Sequence, residues 1–400
     1  MADITAAESA TNSGVEPGTH AKQHLAWTRY KTYLKSISVP SDPFLDNFSI
    51  FQRNKILGAF AHALRDGRFY KNKRKVKAET IRSAIDCVAQ TYCMANRPDP
   101  RFDQDGRPSF LLQRQIRGYK KLDPPEKQQV ALTGSIIKEL NSLALTKLEK
   151  AMSELFSGAF FFAMRSCEYL KVSGERWTKI IELRNIKFFK GRRVVSHTDK
   201  SLHNADAVSI TFELQKKDTK SYTVTHHRSN DPKICPVIIW ANIVKRIRSY
   251  QSSTDNTPIN TFMDNKNNIH LITGPKLLKQ LRLAAAAIGK DVLGFHPSDI
   301  GLHSARSGAA MAMYLAGVPV YTIMLLGRWS SDAFLRYIRK QVKEFSAGVS
   351  SKMLTHDNFF SIPCSSRDED RSRNLPLKRS CRNDGLHFKE AARPLLSIFL

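Results

Sequence analysis

From Gly301 to Gln341 the chain reads GLHSARSGAAMAMYLAGVPVYTIMLLGRWSSDAFLRYIRKQ. The stretch is largely apolar and is punctuated where helices stop. One helix-like run ends at Gly317 with Pro319 just beyond, the pattern of a helix C-terminus. A second short apolar segment, Tyr321 to Leu326, ends at Gly327, and Ser330 or Ser331 is placed to cap a third helix carrying Tyr337. Three short consecutive helices are therefore expected. Few polar side chains interrupt them, so the kinds that do are informative. His303 and Arg306 lie three apart and share one helix face. Arg328 and Trp329 follow Gly327.

These side-chain types suit phosphate chemistry. The guanidinium fork of an arginine grips two phosphate oxygens at once. Histidine and the indole N–H of tryptophan can each donate a further hydrogen bond. Tyrosine has a pKa of about 10 and needs a cationic environment to act as a nucleophile near neutral pH. Each element has an ordinary structural role as well. The His-x-x-Arg spacing recurs at His62 and Arg65, and a Tyr beside Phe334, Leu335, Ile338 and Val342 is ordinarily core.

Order and spacing carry more weight. Gly301-Leu302-His303-Ser304-Ala305-Arg306, then Leu326-Gly327-Arg328-Trp329, then Tyr337 resembles the catalytic end of the tyrosine recombinase (phage integrase) family. Within it, Ala312 to Ile338 is most similar to the recombinases of eukaryotic mobile elements of the Crypton and DIRS kind. Many bacterial and phage members place the tyrosine nine residues after the His or Trp, whereas Tyr337 lies eight after Trp329, about 100° of helix rotation different. The Crypton-like members share the shorter spacing.

The charge agrees with a polyanionic partner. Sixty-three Lys and Arg stand against 36 Asp and Glu, a formal +27, with an isoelectric point near 9.9. With 42% apolar residues, the 400-residue chain has material for two or three cores. No apolar run approaches the roughly 20 residues that span a bilayer, and the polar start MADITAAESATNSG is unlike a signal peptide. A non-secreted protein without membrane contact is expected. Six cysteines without a C-x-x-C pair point to free thiols and against a zinc site.

The expected fold is mainly α with a small antiparallel β-sheet. Residues 1–21 are expected to be disordered, followed by a helical domain over 22–121. There Leu25, Tyr30, Tyr33 and Leu34 space like one face, and Asp46 to Arg65 reads as a helix with Phe48, Phe51, Ile56, Phe60 and Leu64 inward. Lys71, Lys73, Arg74, Lys75 and Lys77 make a dense cluster before a helix ending near Met94. Arg114, Arg117, Lys120 and Lys121 lie along the next helix; both sets suit DNA phosphates, and the first equally fits a nuclear localisation signal or a solvated loop. A linker is expected at 122–132 and a second domain at 133–355, with helices from Gly134 to Leu145 and Leu148 to Val172. Asn185 to Ser196, Ala207 to Leu214 and Ser221 to His227 read as strands. Cys235-Pro236 opens a helix, Asn256 to Asn268 reads as loop, Pro275 to Ile288 as helix, and 356–400 as a mostly disordered tail ending in an apolar run.

The resemblance adds roles. It implies a helical core-binding (DNA-clamping) domain followed by a tyrosine-recombinase catalytic domain, cutting and rejoining DNA through a 3′-phosphotyrosine. The first catalytic arginine would be Arg165, with Glu168 supporting it, and His303, Arg306, Trp329 and Tyr337 would complete the set. A hairpin lysine would be the general acid. Lys216 fits best, with Lys217 and Lys220 open. No metal or other cofactor is implied. The implied partners are double-stranded DNA and further copies of the chain, as dimer or tetramer. The implied location is the nucleus in a eukaryote and otherwise the cytoplasm. A type IB topoisomerase and an inactive domesticated DNA-binding protein would share much of this pattern.

Overall fold

The computed structural model describes residues 2–39, 42–125, 130–171, 178–213, 221–229, 231, 234–329 and 335. The chain divides into two compact units, one built from residues up to Glu126 and the other from Lys127 on. Among the described residues no helix is long and apolar enough to cross a membrane.

The first unit is helical: α1 (Ala2–Ser13), α2 (Pro17–Ser36), α3 (Ile50–Arg65), α4 (Ala78–Met94) and α5 (Phe110–Lys121). Its core joins Tyr30, Tyr33 and Leu34 of α2 to Leu57, Phe60 and Leu64 of α3, Ile81, Ile85, Val88 and Tyr92 of α4, and Leu112 and Ile116 of α5. Two buried phenols meet at its centre: Tyr30 and Tyr92 lie 3.1 Å apart through their hydroxyls, and Tyr92 donates to the Pro43 carbonyl at 3.0 Å. Burial pushes both pKa values up, Tyr92 to about 12.

Three expectations change here. The first residues are helical rather than irregular, because Ala-rich α1 with Asp3 in its first turn has good helix propensity. On α3, Phe51 is 56% exposed and Ile56 half-buried, while Leu57, Phe60 and Ala61 face inward. Phe51 lies nine residues before Phe60, about 180° around the helix, so the two cannot share a face. Leu25 is exposed, and α2 buries Ala26 in its place.

Asp123, within the expected linker, is held in the first unit. Its carboxylate accepts from the Ala78 backbone N–H at 2.8 Å and pairs with Arg65. The Arg65 guanidinium holds the Asp123 carboxyl below its usual range. At the other end Leu132 is buried in the second unit, donating its N–H to the Ser304 carbonyl at 3.2 Å.

The second unit contains α6 (Gly134–Ser142), α7 (Lys147–Phe161), the single turn α8 (Ser166–Tyr169), α9 (Pro236–Arg248), α10 (Gly274–Ile288), the short α11 (Lys290–Leu293), α12 (Ser304–Leu315) and α13 (Val320–Gly327). Its antiparallel sheet has the order β2-β1-β3-β4, from Arg193–Val195, Ile186–Lys190, Ala207–Phe212 and Tyr222–His227. Phe188 faces Val208, Ile186 faces Ile210, and Phe212 faces Tyr222. Alternation fixes this register, since a slip of one residue would turn Ile186, Phe188, Val208 and Ile210 outward.

The core is centred on α7 packed against α9. The approach is close because Gly158 has no Cβ: one built there would lie 2.9 Å from the Trp240 ring. The inward face expected from Cys235-Pro236 onward is present, with Val237, Ile239, Trp240, Ile243, Val244 and Ile247 all buried. The expected loop from Asn256 to Asn268 instead contains most of a small hairpin, β5 (Thr261–Met263) and β6 (Ile269–Leu271). Asp264 organises its turn, accepting from the N–H groups of Lys266 and Asn268.

The helix expected from Leu148 to Val172 stops at Phe161. Ala163 follows with φ +45°, and α8 restarts at Ser166. That break positions the candidate site.

Candidate active site

A helix ends with carbonyls that have no partner within it. At the end of α7 three successive carbonyls are taken by side chains brought from elsewhere in the second unit. His226 of β4 hydrogen-bonds to Phe161. Arg328 donates from Nη1 to Phe162 at 3.1 Å, and Arg306 of α12 donates from Nη1 to Ala163. Two guanidinium groups at a helix C-terminus also meet the negative end of its dipole. His226 packs edge-on against Phe162, with centroids 4.7 Å apart. Burial lowers its pKa to about 4, so it is neutral at pH 7.

The break carries Arg165 into a second set of bonds. Glu168, 1% exposed, accepts on Oε1 from Arg165 Nη1 at 2.9 Å. On Oε2 it accepts from the Arg165 backbone N–H at 2.8 Å and from Arg328 Nη2 at 2.7 Å. A buried carboxylate survives only with such compensation. Arg165, Arg306 and Arg328 with Glu168 leave a net charge of three minus one, or +2. The Arg165 side chain is 23% exposed, against 1% for that of Arg328 and 2% for that of Glu168.

The turn after α13 closes the cluster. Arg306 donates from Nη2 to the Gly327 carbonyl, and its Cζ lies 4.3 Å from the centre of the Trp329 ring. Position 327 has no room for a side chain, since a Cβ would lie 1.6 Å from that ring. Arg328 takes a left-handed φ of +56° as the cap of α13. Its Cζ sits 3.5 Å from the centre of the Phe212 ring at the end of β3.

Of the residues singled out in sequence, Arg165, Glu168, Arg306 and Trp329 thus fall into one connected cluster. His303 stands at the N-cap position of α12, exposed, three residues before Arg306. Tyr169 ties α8 to the preceding residue by donating to the Leu302 carbonyl at 3.3 Å. Lys216 and its alternatives Lys217 and Lys220 lie outside the described residues, as do Tyr337 and the segment 356–400. The strands flanking Lys216 end at Phe212 and resume at Tyr222, so the base of that hairpin touches Arg328 through Phe212. Leu335, two residues before Tyr337, is buried with Ala310, Met311, Val320 and Ile323.

Two members of the site were not assigned from sequence. His226 gives no pattern signal. Arg328 does: a charged residue between apolar helices is as conspicuous as Arg165 and Glu168.

In the first unit, Lys71, Lys73, Arg74, Lys75 and Lys77 are all exposed on the segment joining α3 to α4. Arg114, Arg117, Lys120 and Lys121 are exposed on α5, whose other face buries Leu112 and Ile116.

No protein-family model and no curated protein matches the chain. Among solved structures it is similar to the XerH site-specific recombinase bound to palindromic difH substrate in a post-cleavage complex, at 14% identity and TM-score 0.45. That match covers 78% of this chain and 75% of that one. The Tn1549 transposon integrase in complex with transposon right end DNA matches at 11% identity and TM-score 0.47, over 87% of this chain and 98% of that one. XerA recombinase matches at 14% identity and TM-score 0.34, over 86% and 95%.

Proposed function

We propose that this chain cleaves and rejoins DNA strands through a covalent phosphotyrosine, as the site-specific recombinase of a mobile element. One observation carries the reading. Arg165 and Arg306, far apart in sequence, are joined at the broken end of α7 with Trp329 stacked on Arg306, leaving net positive charge and a partly exposed Arg165. A phosphodiester is the anion that such a cluster, a nearby histidine and a following tyrosine serve together.

In this mechanism the Tyr337 oxygen attacks phosphorus and the 5′ oxygen of the next nucleotide leaves. A 3′-phosphotyrosine remains, and a 5′-hydroxyl can attack it to re-form the strand. Bond energy is conserved, so rejoining needs no nucleotide hydrolysis. Arg165 and Arg306 neutralise the charge of the pentacoordinate state, and His303 and Trp329 add donors. Lys216 gives its proton to the departing oxygen. Incubating the full chain with nicked suicide duplexes drawn from DNA flanking its own gene should yield a protein–DNA adduct that survives denaturation. A tryptic map should place the nucleotide on Tyr337. An adduct on another residue, or none on any flanking sequence, sinks the reading.

Lys216→Ala should slow cleavage of an ordinary phosphodiester on the order of 10²–10⁴-fold. On a bridging 5′-phosphorothiolate the loss should nearly vanish, because thiolate leaves without a proton. Equal losses on both substrates would reduce Lys216 to a DNA-positioning role and turn attention to Lys217 and Lys220.

Binding should be mostly electrostatic, given the +27 charge and the exposed cluster from Lys71 to Lys77. With on the order of ten phosphate contacts, affinity should fall roughly 10³–10⁵-fold between about 50 and 200 mM salt. Neutralising the Lys71–Lys77 cluster should flatten that slope while sparing cleavage of bound DNA. A flat dependence in the parent chain would reject a DNA clamp.

A further inference from the structure

Arg328 occupies a backbone position that ordinarily favours glycine. Its φ of +56° lies in the left-handed region, which is strained for a residue with a Cβ. The side chain is enclosed, with 1% exposure, and is held by the Phe162 carbonyl, the Glu168 carboxylate and the face of Phe212. Its Nη1 and Nη2 are both bonded to the protein. Its effect has to pass through Glu168, which it shares with Arg165.

The charges show what that effect is. Arg165 and Glu168 alone would form a neutral pair, and Glu168 would oppose any phosphate approaching Arg165. Arg328 bonds the same carboxylate from its buried side at 2.7 Å. We infer that Arg328 is a positioning residue that offsets the charge of Glu168, so that Glu168 can orient Arg165 without cancelling its attraction for an anion. The inference deepens the strand-exchange reading and rests on it for the identity of the anion.

The geometry also fits the demand on side-chain type. Arginine binds the carboxylate with Nη2, the Phe162 carbonyl with Nη1, and stacks its plane on Phe212. One buried guanidinium thereby links three elements: the end of α7 at Phe162, α8 at Glu168 and β3 at Phe212.

The test measures protection of Arg165 from phenylglyoxal by inorganic phosphate, read by peptide mass spectrometry on the full chain. Single-turnover cleavage is measured beside it. Arg328→Met keeps the bulk over Phe212 and removes the charge. It should raise the phosphate concentration giving half-protection about tenfold, and slow cleavage more than it weakens DNA binding. Arg328→Lys should stay near the parent. Adding Glu168→Gln to Arg328→Met should bring half-protection back toward the parent value, which a purely structural role for Arg328 would not do. If Arg328→Met does not fold by circular dichroism, Glu168→Gln alone decides, and its half-protection concentration should fall below the parent's. An unchanged midpoint in Arg328→Met, no recovery in the double variant, or no protection of Arg165 in the parent each overturns the inference. A parent chain that protects Arg165 with phosphate but never forms a DNA adduct overturns strand exchange and leaves the role of Arg328 standing.

Discussion

Tyr337→Phe should abolish the covalent protein–DNA adduct while leaving DNA affinity within about twofold of the parent. The substitution deletes one hydroxyl, and no phosphate contact of the basic surface depends on it. Losing a nucleophile costs on the order of 10⁴-fold or more in rate, so the adduct should fall below detection on any practical time scale. Leu335 is buried among Ala310 and Met311 of α12 and Val320 and Ile323 of α13, which anchors the chain two residues before Tyr337 to the helices carrying Arg306 and Gly327. Phenylalanine keeps the ring and its helix preference. An adduct formed by the Phe variant at more than a trace of the parent rate would assign the chemistry to another tyrosine.

The regular parts of this fold were legible because periodicity is strong where one face is buried. The face of α9, from Val237 to Ile247, and the strands around Phe188, Val208 and Ile210 follow the alternation that the sequence displays. Legibility failed where a local device overrode the pattern. On α3 the Ser49–Gln52 capping box starts the helix at Ile50, four residues after Asp46 where the sequence pattern begins it. At Phe161 the apolar run continues in sequence, yet the helix stops because its last carbonyls are taken from outside by His226, Arg328 and Arg306. Nothing within residues 148–172 announces those partners. One comes from β4 and two from α12 and the end of α13.

The same contrast holds for the site. Arg165, Glu168, Arg306 and Trp329 stand out through the order and spacing that resemble the recombinase family, helped for Arg165 and Glu168 by their place in an apolar run, and the structure joins those four. Arg328, within Gly327-Arg328-Trp329, has no role in that pattern. What sequence spacing lacked was the burial. The charge of Arg328 between apolar helices is visible in the sequence, but only the packing of Phe212 and Glu168 shows it turned inward.

Arg306→Ala should cost stability and cleavage together, and Arg306→Lys should separate the two. Arg306, 4% exposed, donates to the Ala163 and Gly327 carbonyls and supports the Trp329 ring. Alanine leaves two buried carbonyls without those donors at about 1–3 kcal/mol each, and removes a cation–π contact worth roughly 0.5–2 kcal/mol. A loss of about 2.5–8 kcal/mol follows, a large share of the 5–15 kcal/mol typical of a folded domain. The break after α7 and the turn after α13 would then lose their shared tie, and Arg165 and Trp329 would lose their common frame. Cleavage should fall on the order of 10²–10³-fold or more, the cost of removing one preorganised donor from a developing charge. Lysine keeps the charge on a single ammonium that cannot bridge both carbonyls in the geometry of a planar fork. It should recover about half of the lost stability, because one carbonyl regains a donor, yet leave cleavage close to that of the alanine variant. Urea denaturation gives the first quantity and single-turnover adduct formation the second. An alanine variant that cleaves within about threefold of the parent would remove Arg306 from the chemistry and leave it a strut between two helix ends.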